Sequence, residues 1–197
     1  EGPSDIGAAT LTINQNTVLD NTLNINSTSG NKTFTDVIIN ASGALVCSVN
    51  ESFVIRGNLT NNGTITAGTG TYTFNGSSKT ISGTNPITLG AVSITGTITN
   101  VGTLYVSGAL SGTGSLTNDT DSYLRITRNN TITTLIATSL NNTVEYDYTS
   151  TQTIKGTTYH HLIISNAGTS SINGLTTING NLSVTGGTLN DAGFQIS

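Results

Sequence analysis

The stretch TYTFNGSSKTISG (Thr71 to Gly83) returns as TVEYDYTSTQTIKG (Thr143 to Gly156). Phe74 falls on Tyr146, Ile81 on Ile154, and Gly83 on Gly156. Outward from that pair, AVSIT (91–95) returns as HLIIS (161–165), and LYVSGALSGTGSL (104–116) returns as TTINGNLSVTGGTL (176–189). The offset stays between 70 and 73 residues. A partial third copy lies upstream, where DVIIN (36–40) matches HLIIS and VIRGNLTNNGTI (54–65) matches TINGNLSVTGGTL. Self-similarity at a long, nearly fixed period is the mark of stacked supersecondary units.

Composition says what those units are. Thr, Asn, Gly and Ser make up 107 of 197 residues, and only 8% are charged. The apolar residues are mainly Ile, Leu and Val flanked by Thr, which suits strands and tight turns. Apolar positions at the 3.6 spacing of a helix are broken everywhere by Gly, Asn or Ser. Strands of about 3–6 residues alternate with turns of similar length, and Asn can stack in ladders between coils. The chain is therefore expected to be all-β, a parallel β-helix (β-solenoid) of roughly eight to ten coils. The competing fold is a β-sandwich or jelly-roll pilin with strand donation, but the two-residue hairpin signals it needs are sparse. Residues 1–13 read as an N-terminal tail and possible intersubunit strand, and 14–197 as one solenoid domain with its repeats at about 71–116 and 143–189. Asp119 to Asp121 and the apolar residues from Leu124 to Ile136 bridge the two long copies.

Net charge is −4, and the six Lys and Arg are dispersed. That excludes the basic footprint of a nucleic-acid binder, and no apolar run is long enough to span a bilayer as a helix. The chain has no Met and starts at Glu1, which is expected of a secreted product after signal-peptide removal. Cys47 is single, closes the apolar run 44–46, and is expected to be buried and inert.

The phrases TVEYDYTSTQTIKGTTYHHLIISNAG and TTINGNLSVTGGTLNDAG resemble the repeat modules of large secreted bacterial surface adhesins. The resemblance covers Thr71 to Ser197 and fades before Gly57. It implies a parallel β-solenoid with a structural or adhesive role on the cell surface or outside the cell, and it brings no catalytic residues. Such modules are strung in much longer chains, so a short one needs another way to become long.

Candidate chemistry is thin. His160 and His161 are adjacent on a strand and should diverge, which disfavours a shared metal. Asn118, Asp119 and Asp121 carry oxygens that suit calcium but lack the EF-hand spacing. Glu145 and Asp147 stand at i and i+2, as a glycosidase carboxylate pair would, although the first copy has Thr73 and Asn75 there. Thr-x-Thr starts at 10, 33, 64, 71, 97 and 131 are too irregular for an ice-binding array. Neither an enzyme nor a cofactor is indicated. Eleven N-x-S/T sequons, at Asn26, Asn31, Asn40, Asn50, Asn58, Asn62, Asn75, Asn118, Asn129, Asn141 and Asn181, modestly exceed the chance expectation and mark possible glycosylation.

A solenoid has two ends that show unpaired backbone and apolar core. Thr10, Leu11, Thr12 and Ile13 at one end, and Phe194 and Ile196 at the other, are the expected intersubunit contacts. The expectation is a homopolymeric, head-to-tail structural subunit of an extracellular filament or adhesive fibre, with cell-surface or matrix glycans as further partners. The competing function is a monomeric carbohydrate-binding or polysaccharide-cleaving β-helix protein.

Overall fold

Among the described residues every strand pairing is parallel, and each partner lies about one coil away in sequence. Leu23 pairs with Leu45, Ile87 with Leu104 and Leu104 with Leu124, spacings of 22, 17 and 20 residues. The computed structural model describes residues 4–6, 10–26, 30–47 and 50–197. Among these it forms a parallel β-solenoid of about nine turns without a helix. Three sheet faces form its wall. No helix of the described chain is long and apolar enough to cross a membrane.

Alternation within each strand selects what enters the core. Thr71–Phe74, Ala91–Ile94, Thr103–Val106 and Thr143–Tyr146 share one pattern, in which the second and fourth residues are buried and the others half-buried. Because the coils stack in register, inward residues form columns. One column on the first face runs Leu104, Leu124, Val144, Leu162. On the second face Phe34, Phe53 and Tyr72 stack, with the Phe53 and Tyr72 rings nearly parallel and 4.9 Å apart. Offset stacking of this kind adds to simple area burial.

On the third face the column becomes polar. Asn100 donates its amide to Asn118 at 2.8 Å, and Asn118 donates to Asn142 at 3.3 Å. All three side chains are fully buried. Asn100 and Asn118 also donate to the carbonyls of Tyr123 and Thr143, and Asn142 donates to that of Ser139. This is the asparagine ladder that the turn composition predicts, and it gives buried polar groups the partners they require.

No face has an unbroken backbone ladder. On the first face the sheet ending at Thr64–Thr66 is not hydrogen-bonded to the one starting at Ile87–Leu89. The second face breaks three coils later, between residues 129–133 and Gln152–Ile154. At that height the third face is joined by the single bridge Ala137 to Tyr159. Side chains bridge the inner side of this later seam. Asn130 donates to the Tyr146 hydroxyl (3.0 Å), which lies 3.1 Å from the Tyr159 hydroxyl. The Lys155 N–H donates to Tyr146, and Tyr159 donates to the Lys155 carbonyl. Gln152 donates to the Ile126 and Arg128 carbonyls. Both tyrosines are fully buried, and burial pushes their phenols above the ordinary value.

Two expectations change. Ser4–Ile6, inside the expected tail, is a strand paired with Leu23–Ile25, while the rest of the tail before Thr10 lies outside the described residues. Leu11–Ile13 belongs to its own chain's second face, paired with Lys32–Phe34. Glu51, which the sequence places at the turn between Ala44–Cys47 and Phe53–Ile55, is 2% exposed, and neither of its carboxylate oxygens has a hydrogen-bond partner.

Candidate functional site

The described residues offer two surfaces with distinctive chemistry, one at the end of the rod and one on its side. At the end, Leu182–Val184 and Thr188–Asn190 each pair with one neighbour only. Leu182, Val184, Phe194 and Ile196 are 43%, 46%, 44% and 36% exposed. One coil earlier in the same column, Leu162 and Ile164 are 1% and 0% exposed. Isolated exposed apolar residues need no explanation; these four lie on the last turn, beside strands that pair on one side only. At the other end, Leu11 and Ile13 are half-buried, Val18 is 51% exposed, and Thr10 and Thr12 face solvent. The expected contacts Thr10 to Ile13, Phe194 and Ile196 thus sit on the two terminal coils. The terminal set also includes Leu182 and Val184, which occupy the same positions as the buried Leu162 and Ile164 one coil earlier. Ile196 reaches this surface by a bridge to Thr176.

On the side, the first face carries Tyr105, Tyr123, Arg125 and Glu145 on its outward rows. The Arg125 guanidinium lies 4.2 Å from the centroid of the Tyr105 ring, and its Nε is 3.3 Å from Asp147. Tyr123 and Ser165 both donate to the Glu145 carboxylate. Burial, then the Glu145 hydrogen bond, pushes the Tyr123 phenol up. Both Glu145 oxygens are therefore occupied, and Asp147 is held by an arginine. The two carboxylates thus stand inside a side-chain network with Tyr123, Ser165 and Arg125. The cluster ties four successive coils together across the seam, so its chemistry is that of a brace.

The remaining candidates separate. His160 precedes the His161–Ile164 strand, so the two rings do not diverge as expected: they meet edge to face at 4.3 Å. His161 Nδ1 accepts the Asn181 N–H at 2.9 Å. Asn118 points into the core ladder, whereas Asp119 caps Thr120 and Asp121 accepts from Asn141 on the surface. These three oxygen donors therefore do not converge as a calcium site would require. Among the described residues no group of three His, Cys, Asp or Glu could hold a metal. Four of the six Thr-x-Thr pairs fall on the second face, on coils that are unevenly spaced, and one falls on each of the other two faces. Cys47 is buried, and burial pushes its thiol up to about 11.

Of the sequon asparagines, Asn26, Asn31, Asn50, Asn75, Asn129, Asn141 and Asn181 are exposed, and Asn40, Asn58 and Asn62 are half-buried. Asn118 is fully buried, so a folded chain cannot present it for glycosylation. No protein-family model, no curated protein and no solved structure matches this chain.

Proposed function

We propose that this protein is a structural element of an extracellular filament or adhesive surface fibre, lengthened by stacking a second copy onto its open β-sheet ends. The observation that carries the reading is the apolar terminal coil around Leu182, Val184, Phe194 and Ile196. Taking four such side chains from half-exposed to buried contributes on the order of 3–6 kcal/mol. Association alone costs about 4–15 kcal/mol, so the new backbone ladder on each face must supply the rest. The Thr, Asn and Ser coat and the low share of charged residues, 8%, suit a solvated structural rod.

The test is analytical ultracentrifugation and negative-stain imaging of the whole chain over a wide concentration range. The expected result is thin fibres with an axial subunit repeat of about 45 Å, given about nine coils at ~4.8 Å each. Leu182→Lys should leave the far-ultraviolet circular dichroism unchanged and the protein monomeric. A native chain that stays monomeric at every concentration, or a lysine variant that still forms fibres, would refute stacking at this end.

A further inference from the structure

The seam between residues 129–133 and Gln152–Ile154 opens on the second face as a groove of about 490 Å³. That volume is within the usual range for small-ligand sites. Its lip carries the amides of Asn129 and Asn173, the hydroxyls of Thr131, Thr133 and Thr153, and the ammonium of Lys155. No carboxylate lines it. Among the described residues, no acid lies within 4.0 Å of the Lys155 side chain.

The groove is held open by the fold. Lys155 is fixed at both backbone polar atoms, since Tyr146 takes its N–H and Tyr159 donates to its carbonyl. Its ammonium therefore leaves the wall from a set position. Asn173 accepts the Gly156 N–H through its carbonyl oxygen at 2.8 Å, which turns the NH₂ half of the amide away from that contact. At the neighbouring corner Arg128 lies over the Tyr148 ring, 5.4 Å from its centroid, and also has no acid within 4.0 Å. A concave surface of hydroxyls and amides offers paired donors and acceptors. One unpaired cation adds selectivity for charge, because a charge-assisted bond is about twice as strong as a neutral one.

We propose that this groove binds an acidic oligosaccharide, with Lys155 pairing with the anionic group and the Asn and Thr side chains contacting the sugar hydroxyls. A sugar fits better than an acidic peptide because the lip presents side-chain hydroxyls and amides in clusters, with Ile132 the one large apolar side chain in its lining. The inference does not depend on filament assembly, since the groove lies on the side of the rod.

The test is titration of the whole ¹⁵N-labelled chain, followed by amide chemical shifts, with four probes: tetragalacturonate, a heparin-derived tetrasaccharide, neutral maltotetraose and tetraglutamate. Saturable shifts at Asn129, Thr131, Thr153 and Lys155 with either acidic sugar are expected; binding of tetragalacturonate shows that a carboxylate suffices, and binding of the heparin tetrasaccharide alone points to sulfate. Maltotetraose and tetraglutamate should bind at least about tenfold more weakly. Lys155→Gln should weaken the acidic sugar by about tenfold or more, the loss expected for a hydrogen bond to a charged group. Asn129→Asp, which adds a like charge on the exposed lip, should do the same even if Lys155→Gln fails to fold. Lys79→Gln on another face should change nothing. Equal binding of the neutral sugar or the peptide, or undiminished binding by both groove variants, would overturn the proposal.

Discussion

The two long sequence copies occupy different faces of the rod. Thr71–Phe74 lies on the second face, and its counterpart Thr143–Tyr146 lies on the first. Lys79–Ser82 is on the third face, whereas Gln152–Ile154 is on the second. The copies are therefore displaced by about three and two-thirds coils, not by a whole number. A motif can change face because each face asks the same of it: a short strand with alternate residues inward, then a turn. Matched glycines show how such a site adapts. Gly83 has φ +131°, a backbone conformation that favours glycine. At Gly156 an added Cβ would instead come within 2.5 Å of the Gly174 Cα.

Matched residues now carry unequal duties, and this can be broken experimentally. Leu110 is 0% exposed and Leu182 43%. Leu110→Ala should lower stability by about 2–5 kcal/mol, whereas Leu182→Ala in dilute, monomeric protein should cost less than about 1 kcal/mol. Denaturant midpoints at constant slope report both. Equal losses would mean that the terminal coil is as well packed as the middle of the rod.

The next pair is Phe74 and Tyr146. Tyr146→Phe restores the residue of the first copy but removes the partner of Asn130, Tyr159 and the Lys155 N–H. The expected loss is about 1–3 kcal/mol. The same pair predicts a pH effect. A buried phenol whose folded value is raised stays protonated after the unfolded chain has begun to ionise, so its contribution is intact below pH 10 and falls as pH rises above it. Stability measured from pH 9 to 11 should decline, and the decline should be shallower in Tyr146→Phe. An unchanged slope would show that Tyr146 does not contribute.

The smallest effect belongs to Ala91 and His161. His161→Ala copies the first repeat and removes the exposed bond to the Asn181 N–H and the edge-to-face contact with His160. It should cost less than about 1 kcal/mol in thermal melts. A larger loss would mean that His161 anchors the last coil.

The solenoid itself was legible because alternating apolar residues and Asn-Gly turns recur whatever the face. The asparagine ladder was legible as a tendency, although nothing local marks Asn118 as buried and Asn62 as half-exposed. The phase shift between copies was hidden, since it depends on summing turns of unequal length between 83 and 143. The seam was hidden as well: the residues that close it, Asn130, Tyr146 and Tyr159, are far enough apart in sequence that only stacking brings their polar tips together. The brace was half visible. Glu145 and Asp147 stood out as acidic departures from the first copy, but their partners Tyr123, Ser165 and Arg125 come from other coils.

The breaks in the three ladders are staggered like the joints in a bonded brick wall. At the height where the first face is interrupted, the second and third run through, with Thr71 paired to Ala91 and Thr80 to Thr99. Where the second face is open and the third is held by one bridge, the first runs through, with Arg125 paired to Glu145. A crack travelling across the rod therefore always meets at least one intact course. It meets two courses at the earlier joint and little more than one at the later. Under tension along its axis the rod has a built-in plane of first failure between residues 129–133 and 152–154, and the Arg125, Tyr123 and Glu145 cluster lies across it like a cramp.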